Sequence, residues 1–235
     1  MAYPNLGIFF ETSKRVRGGK FVWVKDSNGE NRRNVLNGCT IANPPKGFGH
    51  LYAAQLFQYN LFQEGYIFRS FKAKEASAAD SKTIVLNGDG YSDIPEVGMI
   101  LMIAPTLATG TGQSGKVTAV VFDSTNEKFT VTLDTAIGAL TTDSILVEAV
   151  GSGTDAGVAN AAATVLVPKP NTFVEADEDL IPTNGTYGLT NVNYSISTIY
   201  DKQAFTARMQ PLPAYVLAEN KSLIDGIFGF KKRRE

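Results

Sequence analysis

Between residues 82 and 150 the apolar positions fall into short blocks or alternate with polar ones, the two rhythms of β-strands. TIVL (83–86) and MILMI (99–103) are apolar blocks of strand length, separated by the turn-rich NGDGYSDIPEVG. GKVTAVVFD (115–123) alternates, which places Val117, Ala119 and Val121 on one face. The turn STNE leads into KFTVTLDT (128–135), where Phe129, Val131 and Leu133 oppose Lys128, Thr130, Thr132 and Asp134. After the polar turn TTD, SILVEAV (144–150) supplies a fifth strand. Short strands joined by tight polar turns predict a mainly β chain built on a small barrel or sandwich module.

The flanks have a different texture. Residues 1–75 are basic and aromatic, with Lys14, Arg15, Arg17, Lys20, Lys25, Arg32 and Arg33 early and LYAAQLFQYNLFQEGYIFRSF (51–71) following. EASAADS (75–81) reads as a linker and GSGTDAGVANAAA (151–163) as a second boundary. The expected regions are therefore 1–75, a β module at 80–150, and a β/helical segment at 164–235. In the last, NVNYSISTIYD (191–201) reads as one strand with Val192, Tyr194, Ile196, Thr198 and Tyr200 on one face. Pro211 and Pro213 interrupt regular structure before a short helix at 214–220. No internal repeat on the solenoid scale is visible. The longest apolar runs, MILMIA (99–104) and AAATVLV (161–167), are far short of the ~20 residues that span a bilayer. The N-terminus MAYPNLGIFFETSKR lacks the pattern of an export signal, so a cytoplasmic origin and no membrane are expected.

Charge and reactive groups narrow the function classes. With 43% hydrophobic residues the 235-residue chain has the material for a core, and its net charge of −1 creates no global pull toward nucleic acid. One cysteine, Cys39, and one histidine, His50, exclude an internal disulfide and a Cys/His metal cage. General-base chemistry is left with His50 or carboxylates, which argues against an enzyme and against a small-molecule substrate.

GTGQSGKV (110–117) matches the phosphate-loop pattern G-x-x-x-x-G-K-[ST] except at its last position, where Val117 replaces the magnesium-binding hydroxyl. A phosphate loop opens a helix, whereas KVTAVVFD is β-branched and alternating, so the run reads as a hairpin tip without nucleotide. NGDGYSD spaces Asn87, Asp89 and Asp93 like the start of a calcium loop, but Ser92 and Gly98 stand where glycine and glutamate are needed. It reads as a turn between strands. VEADEDL (174–180) reads as a solvated acidic loop or a patch meeting a basic partner, rather than an ion site. Cys39 and His50 have no third orienting residue in view, so a buried thiol and a loop imidazole are expected. No cofactor or metal is therefore expected.

The clusters SKRVRGGK (13–20), NRR (31–33) and KKRR (231–234) are either solvated faces or docking surfaces for an acidic protein or nucleic acid. Phe9, Phe10, Phe21 and Trp23 lie near the first of them, as in a single-strand binder, but no nucleic-acid signature accompanies them. SLIDGIFGF gathers Leu223, Ile224, Ile227, Phe228 and Phe230 directly before KKRR, the composition of an apolar anchor flanked by charge. The candidate partner-binding residues are thus Lys14, Arg15, Arg17, Arg32, Arg33, Leu223, Ile227, Phe228 and Phe230.

The order TIVLNGDGYSDIPEVGMILMI, GKVTAVVFDSTNEKFTVTLDTAI and DSILVEA resembles the small β modules of capsid-associated proteins of tailed bacteriophages, with Ile94-Pro95-Glu96-Val97-Gly98-Met99 as the shared phrase. FKAKEAS resembles their lead-in, and TARMQPLPAYVLAENKSLIDGI the proline-containing C-terminal segment of auxiliary head proteins of crAss-like phages. The likeness is one of pattern and runs from about residue 65 onward. It implies a structural virion protein, a decoration protein that binds the major capsid protein and stabilises the head. It also implies partly irregular N- and C-terminal docking segments, contact with neighbouring head proteins, and a place on the capsid surface. Closed homo-oligomers, often trimers, go with such positions. A head fibre or its docking base is the near alternative. A carbohydrate- or cell-surface-binding module, with Tyr91, Tyr187 and Tyr194 as a sugar platform, is the alternative from another class.

Overall fold

A computed structural model describes residues 64–89, 92–150, 163–174 and 210–219 as continuous stretches. Shorter pieces are described at 23–24, 39–45, 50–51, 55–59, 178–179, 193–194, 198–199, 203–205 and 229–231. In chain order the first strands are β1 (Trp23–Val24), β2 (Cys39–Ile41), β3 (His50–Leu51), β4 (Leu56–Tyr59), β5 (Glu64–Ile67) and β6 (Ser70–Lys72). Then come β7 (Thr83–Asn87), β8 (Ile100–Ile103), β9 (Thr111–Gly112), β10 (Ser114–Asp123), β11 (Lys128–Leu133), β12 (Ile145–Val150) and β13 (Ala163–Val165). The remainder are β14 (Thr172–Val174), β15 (Glu178–Asp179), β16 (Asn193–Tyr194), β17 (Thr198–Ile199), β18 (Gln203–Phe205), helix α1 (Ala214–Glu219) and β19 (Gly229–Lys231). The chain is mainly β, and it divides into two compact units.

One unit comprises Phe68–Pro170 and Gln210–Ser222. Its sheet runs β7-β11-β10-β8-β12-β13-β9, with β6 on β12, and every neighbour pair is antiparallel. The sheet curls into a half-barrel. A bridge between Ala73 and Leu86 brings the end of β6 against β7, supported by the Lys74 N–H donating to the Val85 carbonyl at 2.9 Å. The five strands expected from periodicity all form, and β11 keeps its predicted face, with Phe129, Val131 and Leu133 buried. Ile84, Leu86, Leu101, Met102 and Leu146 join them in the core, each contributing roughly 25 cal/mol per Å² of apolar surface removed from water.

Three expectations change. On β10 only Val117 of the predicted face is buried, while Ala119 and Val121 are exposed. The register against β11 shifts between Val117 and Ala119, and an irregularity of one residue turns every later side chain to the other face. GTGQSGK is not a hairpin tip. Thr111–Gly112 pair with β13 and Ser114–Lys116 with β8, so the run is extended. Its glycines serve close approach: a Cβ on Gly115 would sit 2.4 Å from the Thr135 carbonyl oxygen. EASAADS lies inside this unit, where Ser77 and Leu140 exchange two backbone hydrogen bonds at 3.0 and 3.1 Å.

The helix expected at 214–220 forms as α1, with the Pro213 carbonyl accepting the Val216 and Leu217 N–H groups. Tyr215 and Val216 are fully buried, and the Tyr215 hydroxyl donates to the Val167 carbonyl at 3.2 Å. Burial of that ring pushes the hydroxyl's pKa well up.

The other unit comprises Met1–Ile67, Asn171–Met209 and Leu223–Glu235. Its described residues form a six-stranded sheet β16-β2-β5-β4-β14-β17, a three-stranded sheet β1-β18-β19 and the pair β15-β3. The β2–β5 and β18–β19 pairings are parallel. Among its described residues Ile41, Leu51, Leu56, Phe57 and Ile67 are buried, and the Asn43 amide holds both the N–H and the carbonyl of Ile67 at 2.8 Å. NVNYSISTIYD is not one strand here: Asn193–Tyr194 and Thr198–Ile199 lie at opposite edges of the six-stranded sheet.

Candidate functional site

Several residues singled out for catalytic or ligand-binding potential have structural partners among the described residues. Lys116 of the phosphate-loop pattern sits within β10, and its backbone N–H donates to the Asp134 carboxylate at 2.7 Å. Asp89 accepts both the N–H and the hydroxyl of Ser92, three residues on, at 2.8 Å, a local side-chain-to-backbone contact that closes the turn. Asp93 points inward, not toward Asp89's turn, and accepts the Ser70 N–H at 2.9 Å. Among the described residues no group of His, Cys, Asp and Glu is gathered as metal ligands would be. Cys39 lies in the six-stranded sheet opposite Tyr194, whereas His50 pairs with Asp179 in the two-stranded one. The acidic run is partly strand, since Glu178–Asp179 form β15.

The most concentrated polar chemistry is a buried joint that periodicity does not reveal. Arg69, just before β6, donates to Glu148 of β12 at 2.9 Å, with side chains 7% and 14% exposed. Burial alone would lower the Arg69 pKa, but the charges of Glu148, Glu96 and Asp93 and the Glu148 hydrogen bond outweigh it and hold it above its usual value. Next to it, fully buried Ser70 gives its N–H to Asp93 and its hydroxyl to the Pro211 carbonyl. These contacts fasten the lead-in to β6, the 92–98 loop, β12 and the proline segment before α1 into one assembly. Tyr215 adds its bond to Val167. The joint is shielded from water, so its chemistry fixes geometry and does not present a reacting group.

The hairpin tip between β10 and β11 is held differently. Asp123 accepts the Thr125 and Asn126 N–H groups and the Asn126 side-chain amide, and these bonds, the amide first, hold its carboxyl below the ordinary range. Lys128 pairs with Glu75 at 2.9 Å, which raises the ammonium's pKa. Exposed apolar side chains of this unit are Val97, Leu107, Val121, Val150 and Leu217.

Of the partner-binding candidates, Phe230 falls in β19, its backbone opposite Ala204 of β18. Lys14, Arg15, Arg17, Arg32, Arg33, Leu223, Ile227 and Phe228 lie outside the described residues, as do Tyr91 and Tyr187 of the sugar-platform alternative. Tyr194 is in β16, opposite Cys39. Among the described residues no helix is long and apolar enough to cross a membrane. No protein-family model matches the chain, and no curated protein matches it.

Proposed function

We propose that this protein is a non-enzymatic structural component of a tailed-bacteriophage head, a decoration protein that binds the major capsid protein as a homo-oligomer. One observation carries the reading. Of the stretches that resemble head-protein modules, 83–150 and the Gln210–Ser222 part of the proline-containing segment belong to the same compact unit and are fastened by Ser70, Asp93 and Tyr215. A platform of that kind suits a protein whose work is to hold a surface in place. Charged groups inside the platform serve its rigidity, and the basic and apolar clusters at the chain's ends supply the attachment chemistry. The compact β unit and the lack of a fibrous repeat favour a decoration protein over a fibre.

Electron microscopy of purified virions, with and without an intact gene for this chain, tests the reading. The expected result is surface density on the shell that disappears in the deletion particles and fits the β unit. A chain deleted for 222–235 should lose its place on the shell while amide exchange in 83–150 stays protected. Virions from which the protein is absent altogether, or shells fully occupied by the truncated chain, would refute the head assignment and the anchor respectively.

A further inference from the structure

We propose that the outer face of β7, β11 and β10 is a self-association surface. It packs face to face on the same face of a second copy of this chain, across a two-fold axis lying crosswise to the strands. The registers set its side chains in rows: Thr83, Thr132 and Ala119 stand side by side, and then Val85, Thr130 and Val121. Ile84, Leu86, Phe129, Val131 and Leu133 alternate with them and fill the core, so these six point away from it. Thr83 and Ala119 are exposed, Val121 is 63% exposed, and Val85, Thr130 and Thr132 are half-buried. None of the six carries a charge. An uncharged sheet face with a charged rim has the make-up of a contact surface. The inference goes beyond the head reading and stands without it, because it concerns the isolated chain.

The rim identifies the occupant. At one end of the face Asp123 of β10 pairs with Lys128 of β11. At the other end Lys116 of β10 stands beside Asp134, whose N–H donates to the Lys116 carbonyl at 2.9 Å. Each of the two chain stretches thus carries opposite charges at its two ends. Lys128 and Asp134 lie three residues to either side of Val131. Asp123 lies three residues beyond Val120, the partner of Val131, and Lys116 four before it, with the register shift falling between Val117 and Ala119. A two-fold axis over the Val120–Val131 pair lays β10 on β10 and β11 on β11, running in opposite directions. Lys128 then faces Asp134 of the second copy and Asp123 faces its Lys116, each contact occurring twice. Stacked sheets lie about 10 Å apart, within reach of long rim side chains. Between the rims Val121 falls on Ala119, Thr130 on Thr132 and Val85 on Thr83. An axis along β11 would instead set Lys128 on Lys128 and Asp134 on Asp134. The rim is already held in place, since Glu75 pairs with Lys128 at 2.9 Å, turn N–H groups bond Asp123, and the Lys116 N–H donates to Asp134. A face three strands wide supports weak association, in the range of about 10–300 μM.

The full-length chain is followed by sedimentation velocity across concentration under reducing conditions. Val121→Glu and Ala119→Lys replace exposed side chains, so the monomer's fold should survive, as a melting curve checks. Each variant alone buries an unmatched charge against the second copy and is expected to associate at least about tenfold more weakly than the parent. An equimolar mixture of the two should recover association, because Glu at 121 of one chain meets Lys at 119 of the other. Lys116→Asp sets two carboxylates together at each rim contact and should weaken association about tenfold. If either face variant melts below the parent, Lys116→Asp decides the matter. The proposal is overturned by a parent chain that stays monomeric to about 1 mM. It is equally overturned by association that these variants leave unchanged, or by a mixture of well-folded variants that associates no better than either alone.

Discussion

Removing the two partners of the buried ion pair should have unequal consequences, because Arg69 answers to more than one carboxylate. Glu148→Gln keeps the side chain's size and leaves an amide oxygen for the guanidinium, while Arg69 still feels Glu96 and Asp93. The loss is then that of a charge-assisted hydrogen bond, about 1.5–3 kcal/mol. Arg69→Met removes the cation from all three. Glu148 is left 14% exposed and Asp93, a 3% exposed residue, keeps only its hydrogen bonds. Uncompensated buried charge of that kind costs about 3–5 kcal/mol. Against a domain stability of about 5–15 kcal/mol, that removes a large share of the margin by which the unit stays folded. The double variant Arg69→Met/Glu148→Leu should recover only part of the loss, since Asp93 remains.

The single tryptophan, Trp23, belongs to the other unit, so its fluorescence would report on the wrong region. Urea titration followed by amide exchange at Ser70 and at Ile145–Val147 reads the joint itself, with far-UV circular dichroism as the global check. If Glu148→Gln costs as much as Arg69→Met, or if both lie within about 0.5 kcal/mol of the parent, the shared-cation account is wrong.

Further outcomes are expected from the core and the glycine run. Phe129→Ala, at a side chain 2% exposed whose ring lies 4.8 Å from that of Phe122, should destabilise by about 3–5 kcal/mol in the same titration; an unchanged midpoint would show the β11 face to be wrong. Gly115→Ala forces a methyl to 2.4 Å from the Thr135 carbonyl and should cost about 1–3 kcal/mol, so a neutral result would remove the close-approach account. ATP and GTP with magnesium should give no saturable heat in calorimetry, because the residues after Lys116 continue a strand; saturable binding lost in Lys116→Ala would overturn this.

Where a strand has one wet face and neighbours on both edges, its periodicity is enough to read it. β11 is such a strand, lying between β7 and β10, and its alternation survives intact. Alternation stops being informative when both faces are covered, as at Leu146 and Val147 of β12, which are buried side by side. Glycine-based turn reading has a similar blind spot. A glycine marks either a turn or a place where another backbone comes close, and nothing local to GTGQSGK distinguishes the two. The contact that decides it, with Thr135, arrives from a later segment.

The joint was hidden for the same reason, although a signal was present. Arg69 and Glu148 are 79 residues apart, yet each interrupts an apolar run, YIFRSF and SILVEAV, with a charge of opposite sign. A lone charge inside a strand-like run needs a buried partner, and two such charges of opposite sign are natural candidates for each other. No comparable rule identifies where a ladder stops. How far β10 is paired on its β8 side depends on how far β8 extends, and β8 begins only after the turn at Gly98, whose φ of 91° suits glycine. A longer approach to β8 would extend that ladder along Thr118–Val121 without altering any residue in the stretch. The extent of the β8–β10 ladder therefore follows from the order and length of the pairings, and not from the pattern of the strand that carries it.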